Sequence, residues 1–305
     1  MKLENLVQLN TVIVQPLRQA LESNEHVEVF RSHNTNDWEL CAAAHSLENP
    51  DLSSESVLNS LDRHLYTILN NGQTPCNSNF LALAYGYTYL YQRINAIENA
   101  FMALNYGSNK TRETGLFVDI GCGIGALSVA LRNLHENEDF VLNYRGYDLI
   151  QDVFQVNKSF LNNIYPNNIT TIDHNCIESF GKNRDTEIKH VIMVFSYIFS
   201  QNGIDENSLK SFKERVDSLF SEFNLKRFYI LYINKDPSYY NQNYKKFKSM
   251  LEDGGYKICN EIDVQPRVSN YRLYNLSTER DNLKLVPGTN YNSNIHATLV
   301  EIKRV

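Results

Sequence analysis

The chain has 305 residues, of which 42% are hydrophobic and 21% charged, and a formal net charge of −6. That apolar content suffices for a buried core and excludes wholesale disorder, and the length suits one large domain or two modest ones at roughly 100–200 residues each. No apolar run reaches the roughly 18 residues of a membrane span, and the opening MKLENLVQLNTVIVQPLRQALE carries early acids and lacks a small-residue cleavage site, so it does not read as a secretion signal.

The first hundred residues read as helical. Trp38 to Leu47 predicts one helix, and Val57, Leu61, Leu65 and Ile68, following Ser53-Ser54, predict another. From Ser78 onward, Phe80, Leu83, Tyr87, Leu90, Ile94, Ile97, Phe101 and Leu104 recur at steps of three and four. This is one long amphipathic helix, or two broken near Gly86, with Ser78 as N-cap and Gly107 as stop. Tyr85, Tyr87, Tyr89 and Tyr91 fall on nearly all sides of it, so some must contact another element or solvent.

After Gly115 short β-rich runs alternate with helical ones. The strand candidates are Leu116–Ile120, Val141–Tyr147, Ile169–Ile172, Val191–Tyr197, Phe228–Ile233, Tyr256–Ile262 and His296–Ile302. Helical patterns lie between them at Ala126–Leu134, Val153–Leu161, Leu209–Phe223 and Tyr240–Leu251. Strands spaced by helices of this length predict parallel βαβ units in a doubly wound α/β sheet.

Cysteine and charge bound the environment. Five cysteines (Cys41, Cys76, Cys122, Cys176, Cys259) are scattered without a C-x-x-C pair, which predicts reduced thiols in a cytoplasm and no metal site. Four N-x-S/T sequons, at Asn109, Asn157, Asn168 and Asn275, read as chance in an Asn-rich chain. Residues 226–305 carry 13 basic and 8 acidic side chains, a net +5 on an otherwise acidic chain. An ordinary solvated surface is the simpler account of that excess; a basic face for a polyanion is the alternative.

The most informative stretch is Leu116-Phe-Val-Asp-Ile-Gly-Cys-Gly-Ile-Gly-Ala-Leu-Ser-Val-Ala-Leu131. An apolar strand runs into Gly121, Gly123 and Gly125, and a helix starts at once. Glycine at such a turn permits positive φ and lets a ligand reach the backbone without meeting a Cβ. Dinucleotide sites use G-x-G-x-x-G with a pyrophosphate on the helix N-terminus. Here the spacing is D-x-G-x-G-x-G. Asp119 repels a pyrophosphate but suits an ammonium, so the pattern points to an adenosine that carries an amino acid.

Val118-Asp-Ile-Gly-Cys-Gly-Ile-Gly125 resembles the first motif of the class I S-adenosylmethionine-dependent methyltransferases at every signature position. The resemblance covers roughly residues 110–305. It implies a Rossmann-like seven-stranded doubly wound sheet with its last strand antiparallel, here preceded by an N-terminal helical cap. Residues 1–110 are then the cap or lid and 111–305 the catalytic domain. It also implies S-adenosylmethionine as cofactor, held by Asp119, Gly121, Cys122, Gly123 and Gly125, with Asp148 and Leu149 at the end of the second strand. Asp148 lies 23 residues after Gly125 and would accept the ribose hydroxyls. Asp173 or Asn175 would face the adenine; aligning Cys176–Phe180 with the family's continuation favours Asn175. Ser196 and Tyr197, after the fourth expected strand, would lie near the transferred methyl group, although Tyr197 reads equally well as core. Tyr85 and Arg93 would face the substrate from the lid.

The acceptor is less legible, because methyl transfer needs alignment and exclusion of water more than it needs a marked catalytic group. Asn234-Lys-Asp-Pro-Ser-Tyr239 is similar to the motif of amino-adenine methyltransferases, but it follows the fifth expected strand and Ser238 replaces a proline, so it reads as a turn. Pro75-Cys76 precedes the glycine motif, which excludes a cytosine-C5 nucleophile. Leu83–Arg93 and Ser196-Tyr-Ile-Phe199 share an architectural likeness with the mitochondrial small-ribosomal-subunit methyltransferase-like family, without that family's cysteine cluster. The expectation is methyl transfer to a small molecule. RNA or DNA reached through residues 226–305, and a catalytically silent cofactor-binding scaffold, are the alternatives. No membrane partner is expected.

Overall fold

The computed structural model describes residues 10–23, 69, 77–105, 115–135, 141–181, 188–201, 203–235, 241–274 and 284–305. The helices expected at Trp38–Leu47 and Val57–Ile68, the Pro75-Cys76 pair and Gly107 lie outside them. A π-turn, Asn10–Val14, leads into α1 (Gln15–Glu22). Next, α2 (Asn79–Tyr85), a π-turn at Gly86–Leu90 and α3 (Tyr91–Ala103) follow one another directly. Ser78 is the N-cap, its Oγ accepting the Leu81 N–H at 3.1 Å. The chain does not break near Gly86; Gly86 stays helical at φ −59°, ψ −48° and the helix takes one wide turn. A Cβ there would come within 2.6 Å of Ile124 and 2.7 Å of Ile13, so glycine lets the helix lie against both.

The remaining helices connect strands. They are α4 (Ala126–Leu134), α5 (Asp152–Ile164), α6 (Glu206–Glu222) and α7 (Gln242–Asp253). The strands are β1 (Gly115–Ile120), β2 (Asn143–Tyr147), β3 (Asn168–Asp173), β4 (Cys176–Gly181), β5 (His190–Ser196), β6 (Arg227–Lys235), β7 (Tyr256–Val264), β8 (Arg267–Tyr274) and β9 (Lys284–Arg304). Their order is β3-β4-β2-β1-β5-β6-β9-β7, with β8 paired to β9. β2, β1, β5 and β6 are mutually parallel, and the last strand, β9, runs antiparallel between β6 and β7. This is the fold that the resemblance to class I methyltransferases implies.

Among the described residues the expected count of seven strands is corrected to nine. β4 forms a hairpin with β3 and inserts antiparallel between β3 and β2. Its sequence, Cys-Ile-Glu-Ser-Phe-Gly, buries Ile177 and Ser179 at alternate positions, and a serine does not advertise an inward-facing site. β9 is 21 residues long, so its first half extends past the main sheet and pairs with β8.

The sheet is covered on both faces. Leu116, Val118 and Ile120 of β1 join α6 and α7 in one layer, whereas Phe117 joins α4, α5 and the N-terminal helices in the other. Period-2 alternation then decides which side chains can meet. Asp119 on β1, Tyr144 on β2 and Ser196 on β5 all fall on the face that carries the N-terminal helices. Among the described residues no helix is long and apolar enough to cross a membrane.

Candidate donor-binding site

The turn after β1 takes the conformation its glycines permit. Gly121, Gly123 and Gly125 have φ of 69°, 48° and 94°. The Gly121 and Cys122 N–H groups both donate to Tyr147 O, at 2.8 and 3.0 Å, which ties the turn to β2. A Cβ on Gly121 would meet Ile198 at 2.4 Å and one on Gly125 would meet Asn157 Oδ1 at 2.5 Å, whereas one on Gly123 would meet nothing within 4 Å. The open side of the turn is therefore at Gly123, where a ligand can lie against bare backbone.

Asp148 is fixed beside that opening. Its Oδ2 accepts the Gly123 N–H at 2.9 Å and its Oδ1 accepts the Ile150 N–H at 3.0 Å. The Leu149 N–H acts on the same carboxylate, which with about four lone-pair sites keeps acceptor capacity for a hydroxyl. Burial raises the Asp148 pKa, and the backbone N–H groups of Ile150 and Gly123 oppose that rise. Leu149, next in sequence, is 87% exposed, so an apolar surface stands uncovered next to an anchored acid.

Asp119 lies deeper, 3% exposed. Tyr144 OH donates to its Oδ2 at 3.2 Å; Asn157 Nδ2 reaches the same hydroxyl at 3.4 Å and Gly123 O at 3.3 Å. This ladder joins the carboxylate to the glycine turn through the interior. Burial pushes the Asp119 pKa from 3.8 up to about 7; the Tyr144 hydrogen bond lowers it and nearby Asp148 raises it. An anion held at that cost welcomes a cation. Cys122 is also buried, and burial with its two acidic neighbours holds its thiol well above the usual range, so it lines the turn as a neutral group.

A cavity of about 50 Å³ opens between the glycine turn and the N-terminal helices. Asp119, the Gly121–Gly123 turn and Ser196 form one wall; Tyr85 and Arg93 stand on the other. Ser196 Oγ is buried and has no hydrogen-bond partner among the described residues. Tyr197 follows with φ 62°, a left-handed backbone that costs a bulky side chain about 1–3 kcal/mol. Its N–H donates to Ile233 O at 2.8 Å, and the Arg93 guanidinium carbon lies 3.7 Å from its ring centroid.

The third-strand candidates are placed differently from each other. Asp173 is exposed and accepts the His174 N–H at 2.7 Å, within the β3–β4 turn. Asn175 occupies the left-handed position of that turn, φ 54°, and its carbonyl accepts the Asp148 N–H at 3.4 Å. Only Asn175 is thus connected to the acid at the end of β2. Asn234, from the late proline motif, is wholly buried, and its Nδ2 donates to Tyr232 OH at 3.0 Å, an anchor at the end of β6. Asn157 is wholly buried as well, so its sequon is not displayed.

Sequence reasoning missed Tyr144 and Asn157. The signal for Asn157 was present: it is a polar residue on the apolar stripe of α5 that includes Val153, Phe160 and Leu161. Buried amides in that position usually serve a network.

No family model and no curated protein matches the chain in sequence. Solved structures align with the chain at low similarity. A human methyltransferase 10 domain containing protein is 12% identical, with a TM-score of 0.39 over 81% of this chain and 99% of that one. A SAM dependent methyltransferase from Aquifex aeolicus is 11% identical, with a TM-score of 0.37 over 77% and 97%. M. jannaschii TYW2 in complex with AdoMet is 15% identical, with a TM-score of 0.35 over 68% and 77%. At such identities and scores they carry no chemistry over to this chain.

Proposed function

We propose that the chain is an S-adenosylmethionine-dependent methyltransferase with a helical region, 1–110, and a catalytic region, 111–305. The observation that carries this is the glycine turn itself. Three left-handed glycines leave open space at Gly123, Asp119 lies beneath, and Asp148 is pinned beside it by the Gly123 N–H. The cofactor, when bound, supplies an electrophilic methyl group on a sulfonium, and its departure leaves a neutral thioether.

The residues divide the work by chemistry. Asp119 faces the ammonium of the donor, and the Gly121-Cys122-Gly123 backbone and Gly125 give it close approach. Asp148 offers its free lone pairs to the ribose hydroxyls. Leu149 supplies an apolar face for the adenine, with Asn175, rather than Asp173, toward its edge. Ser196 and Tyr197 border the acceptor side, where the unpaired Ser196 Oγ can orient a nucleophile. A small molecule is the acceptor in this proposal. Lys226, Arg227, Lys257, Lys303 and Arg304 are exposed, but acids such as Glu252, Asp253, Glu261 and Glu301 lie among them in sequence.

Calorimetric titration of S-adenosylmethionine and S-adenosylhomocysteine into the chain tests the donor site, with Asp148→Ala as control. Both ligands should bind the parent and fail to bind a folded variant. A folded parent that binds neither overturns the proposal. A second reading, a cofactor-binding module without turnover, draws support from Tyr197, whose ring sits under Arg93 on the acceptor side. Turnover with any acceptor pool, read as S-adenosylhomocysteine release above the uncatalysed rate, excludes that reading.

A further inference from the structure

Four side chains of the N-terminal helices line the cavity: Tyr85, Leu90, Arg93 and Ile97. On an uninterrupted α-helix, at about 100° per residue, they would spread over roughly 140°, with Tyr85 and Arg93 about 80° apart. The π-turn at Gly86–Leu90 lies between the first and the rest. A π-turn takes up about one extra residue per turn, which draws the four into an arc of roughly 60°. The irregular turn narrows the arc that the four side chains cover.

Arg93 has no carboxylate partner among the described residues. The groups that favour its charge are the hydroxyls and rings of Tyr85, Tyr197 and Tyr89. Asp119 lines the same cavity, and the two do not pair with each other. A buried acid and a half-buried guanidinium that face one small space without meeting are complementary to a ligand that carries both opposite charges.

Resting on the donor-site reading above, we propose that Arg93 takes the α-carboxylate of the donor's amino-acid end, opposite Asp119 at its ammonium. The helical region before the sheet is then half of the donor site, and the π-turn gathers its side chains into a narrower arc. Guanidinium-carboxylate recognition is planar and bidentate, so lysine is a poor substitute.

The test compares three ligands on the full chain: S-adenosylhomocysteine, its decarboxylated counterpart that keeps the amine, and 5′-methylthioadenosine, which lacks both charges. The parent should prefer S-adenosylhomocysteine over the decarboxylated ligand by about ten- to hundredfold. Arg93→Met should collapse that ratio to within about twofold, with Arg93→Lys between them and far-UV circular dichroism confirming the fold. A parent-like ratio in a folded Arg93→Met protein overturns the proposal and moves Arg93 to the acceptor. A parent that binds 5′-methylthioadenosine but shows no carboxylate preference overturns this proposal alone. A folded parent that binds none of the three overturns the donor site and this assignment with it.

Discussion

Replacing Asp119 by asparagine should stabilise the protein at neutral pH while weakening donor binding. Asp119 is 3% exposed, and burial pushes its pKa from 3.8 to about 7. A displacement of that size corresponds to roughly 4 kcal/mol of cost for holding the ionised form in the fold. Because the folded value lies above the unfolded one, the folded state holds this proton more tightly. Stability linked to Asp119 is full below about pH 4, falls as pH rises to about 7, and is flat beyond. Asparagine does not titrate, and its Oδ1 can still accept from Tyr144 OH. The added N–H₂ imposes a cost of its own, but a pH-independent one. The readout is therefore the difference in urea-unfolding free energy between variant and parent at pH 5, 6, 7 and 8. That difference should move in the variant's favour by up to about 1.4 kcal/mol per pH unit between pH 5 and 7. Other titrating groups are common to both proteins and cancel. A difference that stays flat with pH refutes the claim that a buried, ionisable carboxylate sits at this position at a cost in stability.

Donor affinity should rise with pH through about 7, by up to about tenfold per unit below it, because an ammonium binds the ionised Asp119. Calorimetry in buffers of different ionisation enthalpy should record release of about one proton near pH 6.5, absent in Asp119→Asn. Tyr144→Phe removes a hydroxyl that donates to Asp119 and receives from Asn157; it should cost about 1–3 kcal/mol in urea unfolding and lower donor affinity. Gly125→Ala should destabilise more than Gly123→Ala, since only the first drives a Cβ into a neighbour, at 2.5 Å from Asn157 Oδ1, yet both should lose donor binding in titration. Leu149→Ser should leave the unfolding midpoint within about 0.5 kcal/mol of the parent, because the side chain is 87% exposed, and should reduce donor affinity several-fold.

What could be read from the chain was whatever local physics enforces. Ser78 caps its helix because a serine ahead of an apolar 3.6-residue repeat satisfies free N–H groups, and the structure shows that bond. Ala126–Leu134 starts where the third glycine ends and keeps the bounds its periodicity predicts. The parallel strands and the glycine turn follow equally from β-rich runs alternating with helices. β4 did not, since its inward Ser179 and outward Glu178 give a weak pattern that only pairing with β2 and β3 resolves.

Sequence by itself determined that an acid, three glycines and a second acid would meet at one turn, because strand-turn-helix geometry links those positions through short stretches of chain. Tertiary structure alone decided what surrounds them. Asp119 and Tyr144 are brought together by strand register and Asn157 by the packing of α5, while Arg93, expected on the substrate side from the sequence, gains its place over the Tyr197 ring only in the fold. Each of those neighbours comes from a different element, and hydrogen-bond register and helix phase are properties of pairs of elements. The same holds for the Asp119 pKa: a carboxylate carries its ordinary value in the chain, and burial in the fold, with Tyr144 and Asp148 brought beside it, moves it.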